Sequence, residues 1–301
     1  MPSSPFTRLG RMLLPGQQSE LTLINADGSG REVIYTADEI IEAPNWMPDG
    51  SALIFNGGGE LWRIGIDGSG LSKIDTGECR TLNNDHVLSS DGKTIYISNQ
   101  SDGSIYAVGI AGGTPRLVSN RHTEPFHYYL HGVSPDNKTL SFTAVEGAAE
   151  HRRINLFTIP VAGGPDTRLT DVNHPNDGPE YSPDGKWIYF NSERDAKQPG
   201  HAQCYRMRPD GTGIEQLTHD ERVNWFPHGS PDGKHYVYIS YPPGTLGHPA
   251  DKQVQLRIMP PDGSSHREVV ALYGGQGTIN VNSWAPDSKR FAYVAYPVFS
   301  S

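Results

Sequence analysis

The sequence predicts an all-β fold, a six-bladed propeller of four-stranded antiparallel blades, and three observations carry that prediction. A P-D-G-type turn recurs six times, centred on Asp49, Asp91, Asp136, Asp184, Asp232 and Asp287, at steps of 42, 45, 48, 48 and 55 residues. A second, glycine-based turn recurs six times out of phase with it, at Asp27-Gly28, Asp67-Gly68, Gly112-Gly113, Gly163-Gly164, Asp210-Gly211 and Asp262-Gly263. Helical periodicity is weak everywhere, residues 37–41 making at most a turn. A β-rich repeat of about 40–50 residues is the signature of one propeller blade per period.

The clearest copy is Tyr181-Ser182-Pro183-Asp184-Gly185-Lys186-Trp187-Ile188-Tyr189-Phe190. Ser, Pro and Gly take the corners that a type I turn assigns them, and the aromatic and β-branched run that follows is strand-like. Each unit therefore reads as strand A, P-D-G turn, strand B, variable loop, strand C, glycine turn, strand D. The glycine turn comes first in the chain and the P-D-G turn comes last. The N-terminal strands near residues 21–25 and 31–35 thus lack an inner hairpin, and the C-terminal hairpin, residues 281–295, lacks an outer one. Joined, they complete a sixth blade and close the ring, which hides its inner sheet edges. The 301 residues form one domain, and the 34 glycines and 24 prolines are what so many turns require.

The net charge of −9 and the lack of a basic stripe argue against a nucleic-acid partner, and none is expected. No run approaches the length of a transmembrane helix, so no membrane role is expected. Residues 1–18 hold no apolar stretch of signal-peptide type, and two distant cysteines make no disulfide framework; a cytoplasmic location is expected.

Strand order puts both stereotyped turns on one face of the disc and the variable connections on the other, where function is expected. Blade 1 begins with Glu42 and Asn45, and its short glycine-rich loop, residues 56–60, is expected to leave the mouth open. Blade 2 begins Asn83-Asn84-Asp85-His86, a polar cluster unsuited to core and read as lining the channel. Blade 3 begins His127-Tyr128-Tyr129-Leu130-His131, with His131 in register with His86. Blade 4 supplies the carboxylates Asp177 and Glu180. Blade 5 begins Asn224-Trp225-Phe226-Pro227-His228, and its long loop, residues 241–255, carries His248 and Lys252, with Arg257 just beyond; it is a candidate lid. Blade 6 begins Gly274-Gly275-Gln276-Gly277-Thr278-Ile279-Asn280, where glycines permit close approach to a ligand. No G-x-S-x-G, H-E-x-x-H or C-x-x-C motif occurs.

The S-P-D-G-K-x-I-x-F hairpins resemble the TolB-type propeller repeat over nearly the whole chain. TolB is periplasmic, has a small α/β domain ahead of its propeller and binds protein partners of the cell envelope; that extra domain is not seen here. Asn84-Asp85-His86, Asp177-Gly178-Pro179-Glu180, Asn224-Trp225-Phe226-Pro227-His228 and the blade 6 glycine loop are similar to stretches of compact, stand-alone TolB-like propellers. A more distant likeness of repeat type is to oligogalacturonate lyases, which hold a divalent metal with three histidines and a glutamine and cleave uronides by β-elimination; their Gln-x-x-His-x-His string is absent.

Two functional readings follow. As an enzyme, the chain places His86, His131 and His228 as ligands of a divalent metal (Mn, Zn, Ni or Fe), with Gln276 or Glu180 completing the shell. Asp177, Glu180, Lys252 and Arg257 are then the catalytic candidates. Asn84, Asp85, Tyr129, Asn224, Trp225, His248, Gln276 and Asn280 would bind a small molecule or oligosaccharide, in lyase or hydrolase chemistry. As a non-catalytic scaffold, the propeller is a rigid platform for a protein or glycan partner, with Trp225, Tyr128 and Tyr129 as an exposed aromatic patch or, alternatively, inter-blade core.

Overall fold

A computed structural model describes Phe6 and residues 10–299. β1 (Ser19–Asn25) and β2 (Glu32–Ala37) precede five complete blades. Blade 1 is β3 (Ile41–Trp46), β4 (Ala52–Gly57), β5 (Glu60–Gly65) and β6 (Ser72–Ile74). Blade 2 is β7 (Leu82–Leu88), β8 (Thr94–Asn99), β9 (Ser104–Gly109) and β10 (Arg116–Leu117). Blade 3 is β11 (Phe126–Val133), β12 (Thr139–Glu146), β13 (Arg153–Pro160) and β14 (Thr167–Arg168). Blade 4 is β15 (Asn176–Tyr181), β16 (Ile188–Ser192), β17 (Gln203–Met207) and β18 (Glu215–Gln216). Blade 5 is β19 (Val223–Gly229), β20 (Tyr236–Tyr241), β21 (Lys252–Met259) and β22 (Arg267–Gly274), and β23 (Arg290–Ala295) comes last.

Each blade is an antiparallel sheet in sequence order, and β23 pairs with β1, which pairs with β2, so the chain's two ends close the ring as the turn phases require. The innermost segment of this sixth blade departs from a regular ladder. It is held to β23 by Ala285 N–H to Arg290 O at 2.9 Å and Ala292 N–H to Ser283 O at 3.0 Å.

The P-D-G turns form for local reasons. Gly185 N–H donates to Ser182 O at 2.9 Å, and the Ser182 hydroxyl donates to Asp184 Oδ1 at 2.7 Å while accepting Trp187 N–H at 3.0 Å. That serine bond holds the Asp184 carboxyl down at about 2. Between blades the strands bury aromatic and aliphatic side chains; Tyr189 of blade 4 stacks on Tyr236 of blade 5 with ring centroids 3.8 Å apart. Burial of one such side chain contributes roughly 1.5–3 kcal/mol.

All five complete inner strands break register near one level: Glu42/Asn45, Leu82/His86, Leu130/Gly132, Asp177/Glu180 and Trp225/His228. In blades 1, 4 and 5 a proline causes it. Pro44, Pro179 and Pro227 have no N–H to give the ladder, and the residues before them, Ala43, Gly178 and Phe226, take φ of 54°, 66° and 54°. Bulges of this kind re-aim side chains. Here they divide each inner strand into an upper position facing the loop-side mouth and a lower one facing the axis.

Candidate functional site

The upper positions build a polar ring that draws on every blade. Asp177 of blade 4 accepts the Thr143 hydroxyl at 2.7 Å and Gly178 N–H at 2.8 Å on Oδ1, and the same oxygen lies 3.2 Å from His131 Nε2. Burial alone would raise the Asp177 pKa, but the His131 bond and charge, helped by His248 and Thr143, hold it at about 2. His131 shows the reciprocal effect. Burial opposes its charge, yet Asp85 and Asp177 outweigh burial and the imidazole pKa is raised. Asp85 of blade 2 is pushed by burial up to about 6 even though His131 pulls against it, and Asn83 Nδ2 donates to its Oδ2 at 2.7 Å.

Two segments close over this ring. His248, from the blade 5 loop, packs its imidazole on Trp225 and Phe226, with centroids 4.6 and 5.0 Å apart. Its Nδ1 bonds Gln276 Oε1, which also accepts Asn280 Nδ2 at 3.1 Å, and its Nε2 lies 3.8 Å from Asp177 Oδ2. Burial lowers its pKa. The N-terminal segment is the second, and it lies against the same blade 5 and blade 6 loops. Arg11 donates to the Gln276 carbonyl at 3.0 Å and to Asp251 at 2.9 Å, and its guanidinium lies 4.3 Å from the Tyr296 ring centroid.

Between Arg11 and blades 1 and 2 opens a cleft of about 490 Å3, lined by Arg11, Glu42, Asn56, Asn83 and Gln100 over Gly58 and Gly59. It opens where the short blade 1 loop leaves room. Glu42, Asp38 and Glu39 are the carboxyls that line it. Burial raises Glu42 to about 7, the Arg11 charge lowers it and Asp85 raises it, and Asn84 hydrogen-bonds it. Tyr129 sits half-buried at the margin, stacked on His127 at 4.4 Å and bonded through its hydroxyl to Gln100; burial raises its pKa.

The structure therefore brings together Asn84, Asp85, His131, Asp177, Trp225, His248, Gln276 and Asn280, with Tyr129 at the edge. Other expected site residues lie elsewhere. Glu180 and His228 fall at the lower position, bonded to each other at 2.6 Å (Oε2 to Nδ1), because the Pro179 and Pro227 bulges turn them to the axis. His228 Nε2 donates to Ile279 O at 2.7 Å, so a proton must also sit between its Nδ1 and Glu180. His86 is buried with neither ring nitrogen in a well-formed hydrogen bond, and burial lowers its pKa to about 4. His86, His131 and His228 thus do not form one ligand set, since bulges of different shape send their rings to different surroundings. Among the described residues no group of three His, Cys, Asp or Glu side chains is gathered to hold a metal ion. Arg257 is committed to Asp220 beneath the Tyr238 ring, away from the mouth. Lys252 is exposed where β21 begins. Asn224 is fully buried and holds Ser240, Gln203 and Asp220. Trp225 and Tyr128 are 4% and 1% exposed, which makes them core rather than an aromatic patch.

The polar cleft residues Arg11, Glu42, Asn56, Asn83 and Gln100 all stood outside the sequence-selected set. Glu42 and Asn83 were visible only as polar residues at strand starts. Arg11 gave no sequence signal at all, because its place depends on a segment outside the repeat.

A family model described as the TolB beta propeller domain matches residues 131–248. An uncharacterised protein of Agrobacterium fabrum is 38% identical over 298 residues, 98% of each chain. A solved structure from Agrobacterium tumefaciens, assigned provisionally to TolB, superposes with a TM-score of 0.85 at 38% identity, covering 97% of this chain and 100% of that one. The chain belongs to the TolB-like β-propeller family. This TolB-like propeller also superposes on an oligogalacturonate lyase in complex with manganese, with a TM-score of 0.56 at 17% identity over 85% of this chain and 74% of that one. That likeness is one of fold.

Proposed function

We propose that the loop-face cleft binds a hydroxyl-rich small molecule of the oligosaccharide class and that Glu42 exchanges a proton with it. The observation that carries this reading is the placement of the Glu42 carboxyl on a cleft lined by the amides of Asn56, Asn83 and Gln100 together with Arg11, Thr81, Asp38 and Glu39. Amide side chains both donate and accept, as sugar hydroxyls do, and the volume is that of a ligand pocket. A carboxyl raised to about 7 is protonated in part at neutral pH and regains its proton readily, the property of a general acid–base group. Hydrolysis of a glycosidic bond and elimination across it share one demand, a proton for the departing oxygen, and Glu42 would supply it. The donor set does not fit the metal that the lyase likeness implies, so no step here passes through one.

The test is calorimetry of wild-type protein and Glu42→Gln against a panel of neutral and uronate oligosaccharides, followed by product analysis on any that bind. Binding by both proteins with turnover by wild type alone is the expected result. If no saccharide binds, the platform reading gains. That second reading has its own support in Met12, Leu14, Val298 and Phe299, exposed apolar side chains on the two terminal segments that pair at Gln17 and Val298.

A further inference from the structure

Asp177 sets its two carboxylate oxygens against two imidazoles, and only one of the two is in close contact. Oδ1 lies 3.2 Å from His131 Nε2 and also accepts the Thr143 hydroxyl and Gly178 N–H. Oδ2 lies 3.8 Å from His248 Nε2, beyond hydrogen-bond reach, and among the described residues neither of these two atoms has a hydrogen-bond partner. Both imidazoles pack on Phe226, the His131 ring at 5.6 Å and the His248 ring at 5.0 Å between centroids.

The backbone fixes which nitrogen of His248 carries the hydrogen. Gly277 N–H can only donate, so the Asn280 atom it meets at 2.7 Å is the oxygen, and Asn280 Nδ2 is the atom that reaches Gln276 at 3.1 Å. That nitrogen donates, so the Gln276 atom is the carbonyl oxygen Oε1. The same Oε1 bonds His248 Nδ1, and an acceptor there requires the hydrogen to sit on Nδ1. Burial against Trp225 and Phe226 lowers the His248 pKa, so the ring is neutral at pH 7 and Nε2 is a bare lone pair. The gap of 3.8 Å thus separates two acceptors with no hydrogen between them.

This gap is open to a ligand. The Asp177 and His248 side chains are 18% and 30% exposed, and neither Oδ2 nor Nε2 is sealed from solvent. A carboxylate has no hydrogen to offer, and a hydroxyl has one; a water or an ammonium can donate to both acceptors at once. Charge separates those two. Asp177 stays ionised, and Asp85, pushed up to about 6, is mostly ionised at pH 7, so together they outweigh a protonated His131. The Arg11 guanidinium, on the neighbouring segment, is paired with Asp251 at 2.9 Å. The ring therefore holds negative charge in excess beside two unmet acceptors, and a cation that donates hydrogen bonds satisfies both. We propose that the gap between Asp177 Oδ2 and His248 Nε2 is a binding site for a primary ammonium group, one that stands whether or not the Glu42 cleft takes a saccharide.

The experiment titrates ethylamine, acetamide and tetramethylammonium into the full chain at neutral pH, followed by NMR of the histidine imidazoles, after long-range nitrogen spectra have assigned the His248 tautomer. His248 is expected to carry its hydrogen on Nδ1, and ethylamine, an ammonium at this pH, to shift its signals saturably. Acetamide has the donors without the charge and tetramethylammonium the charge without the donors; each should bind at least about tenfold more weakly. Asp177→Asn should weaken ethylamine by a similar factor. His248→Phe keeps a ring packed on Trp225 and Phe226, removes the lone pair and should also weaken it about tenfold, read through His131 on the same carboxylate. It decides the matter should Asp177→Asn fail to fold. A hydrogen found on His248 Nε2, three probes of equal affinity, no saturable shift with ethylamine, or binding indifferent to His248→Phe would overturn the proposal and leave the gap to water.

Discussion

His131 Nε2 and Asp177 Oδ1 stand 3.2 Å apart across the seam between blades 3 and 4, and each sets the other's proton affinity. Asp177, together with Asp85, raises the imidazole's pKa against burial, and His131 in turn holds the Asp177 carboxyl low. Asp85 feels both and settles at about 6. Asp177→Asn should therefore lower the His131 titration midpoint, followed by NMR of the imidazole. It should also cost about 2 kcal/mol of stability, the scale of a charge-assisted hydrogen bond. A His131 midpoint that stays put would show the coupling to be absent.

The same groups give the fold an unusual pH dependence. Glu42 and Asp85 bind their protons more tightly folded than unfolded, moving from 4.5 to about 7 and from 3.8 to about 6. Their contribution is fully present below the unfolded values and is lost as pH rises through the folded ones. Asp177 works the other way: its contribution is present above 3.8 and is lost as pH falls towards 2. Urea melts should show stability declining between about pH 5 and about pH 8. Glu42→Gln and Asp85→Asn should each flatten that decline. A profile unchanged by both substitutions would mean that neither carboxyl is buried as described.

The repeat made the fold legible. The six turn aspartates and the six glycine turns fix blade number, strand order and closure, because each turn's chemistry is local. Asp85, His131 and Asp177 were readable for a related reason, since polar residues at the start of an inner strand have nowhere to go but the channel. What the repeat could not show was direction. Pro179 and Pro227 shift the register within their strands, so Glu180 and His228 turn to the axis while Asp177 and Trp225 keep to the mouth. Arg11 and Asp251 meet only because the N-terminal segment lies across the blade 5 loop, a contact between parts that no period relates.

Gly178 tests the bulge directly. Its φ is 66°, and an added Cβ would lie 2.8 Å from the Phe226 ring and 3.1 Å from Asn191 Oδ1. Gly178→Ala should lower stability by roughly 1–3 kcal/mol, from backbone strain and the clash together. It should also displace the Asp177 carboxylate whose Oδ1 accepts Gly178 N–H. Thermal melts measure the first effect, and the His131 midpoint reports the second. A variant as stable as the parent would show that the strand does not need the left-handed residue.

Glu180 bears on what holds the axis together. Its carboxylate takes Gly229 N–H, Asn282 Nδ2 and His228 Nδ1, joining blades 4, 5 and 6 below the mouth. Glu180→Leu removes the acceptor, leaving Gly229 N–H and one Asn282 Nδ2 hydrogen unmet while the bond of that amide to Gly229 O remains, and it leaves His228 Nδ1 facing an apolar side chain. Breaking a buried pair from one side typically costs about 3–5 kcal/mol. Glu180→Leu should melt far below the parent, while Glu180→Gln, which keeps one oxygen acceptor, should lose less. The double variant Glu180→Leu/His228→Leu removes both members and should recover part of the loss, because the uncompensated imidazole goes with its partner. If the double variant is no more stable than Glu180→Leu alone, the pair contributes through packing, and the proton between Nδ1 and Oε2 is not what ties the three blades together.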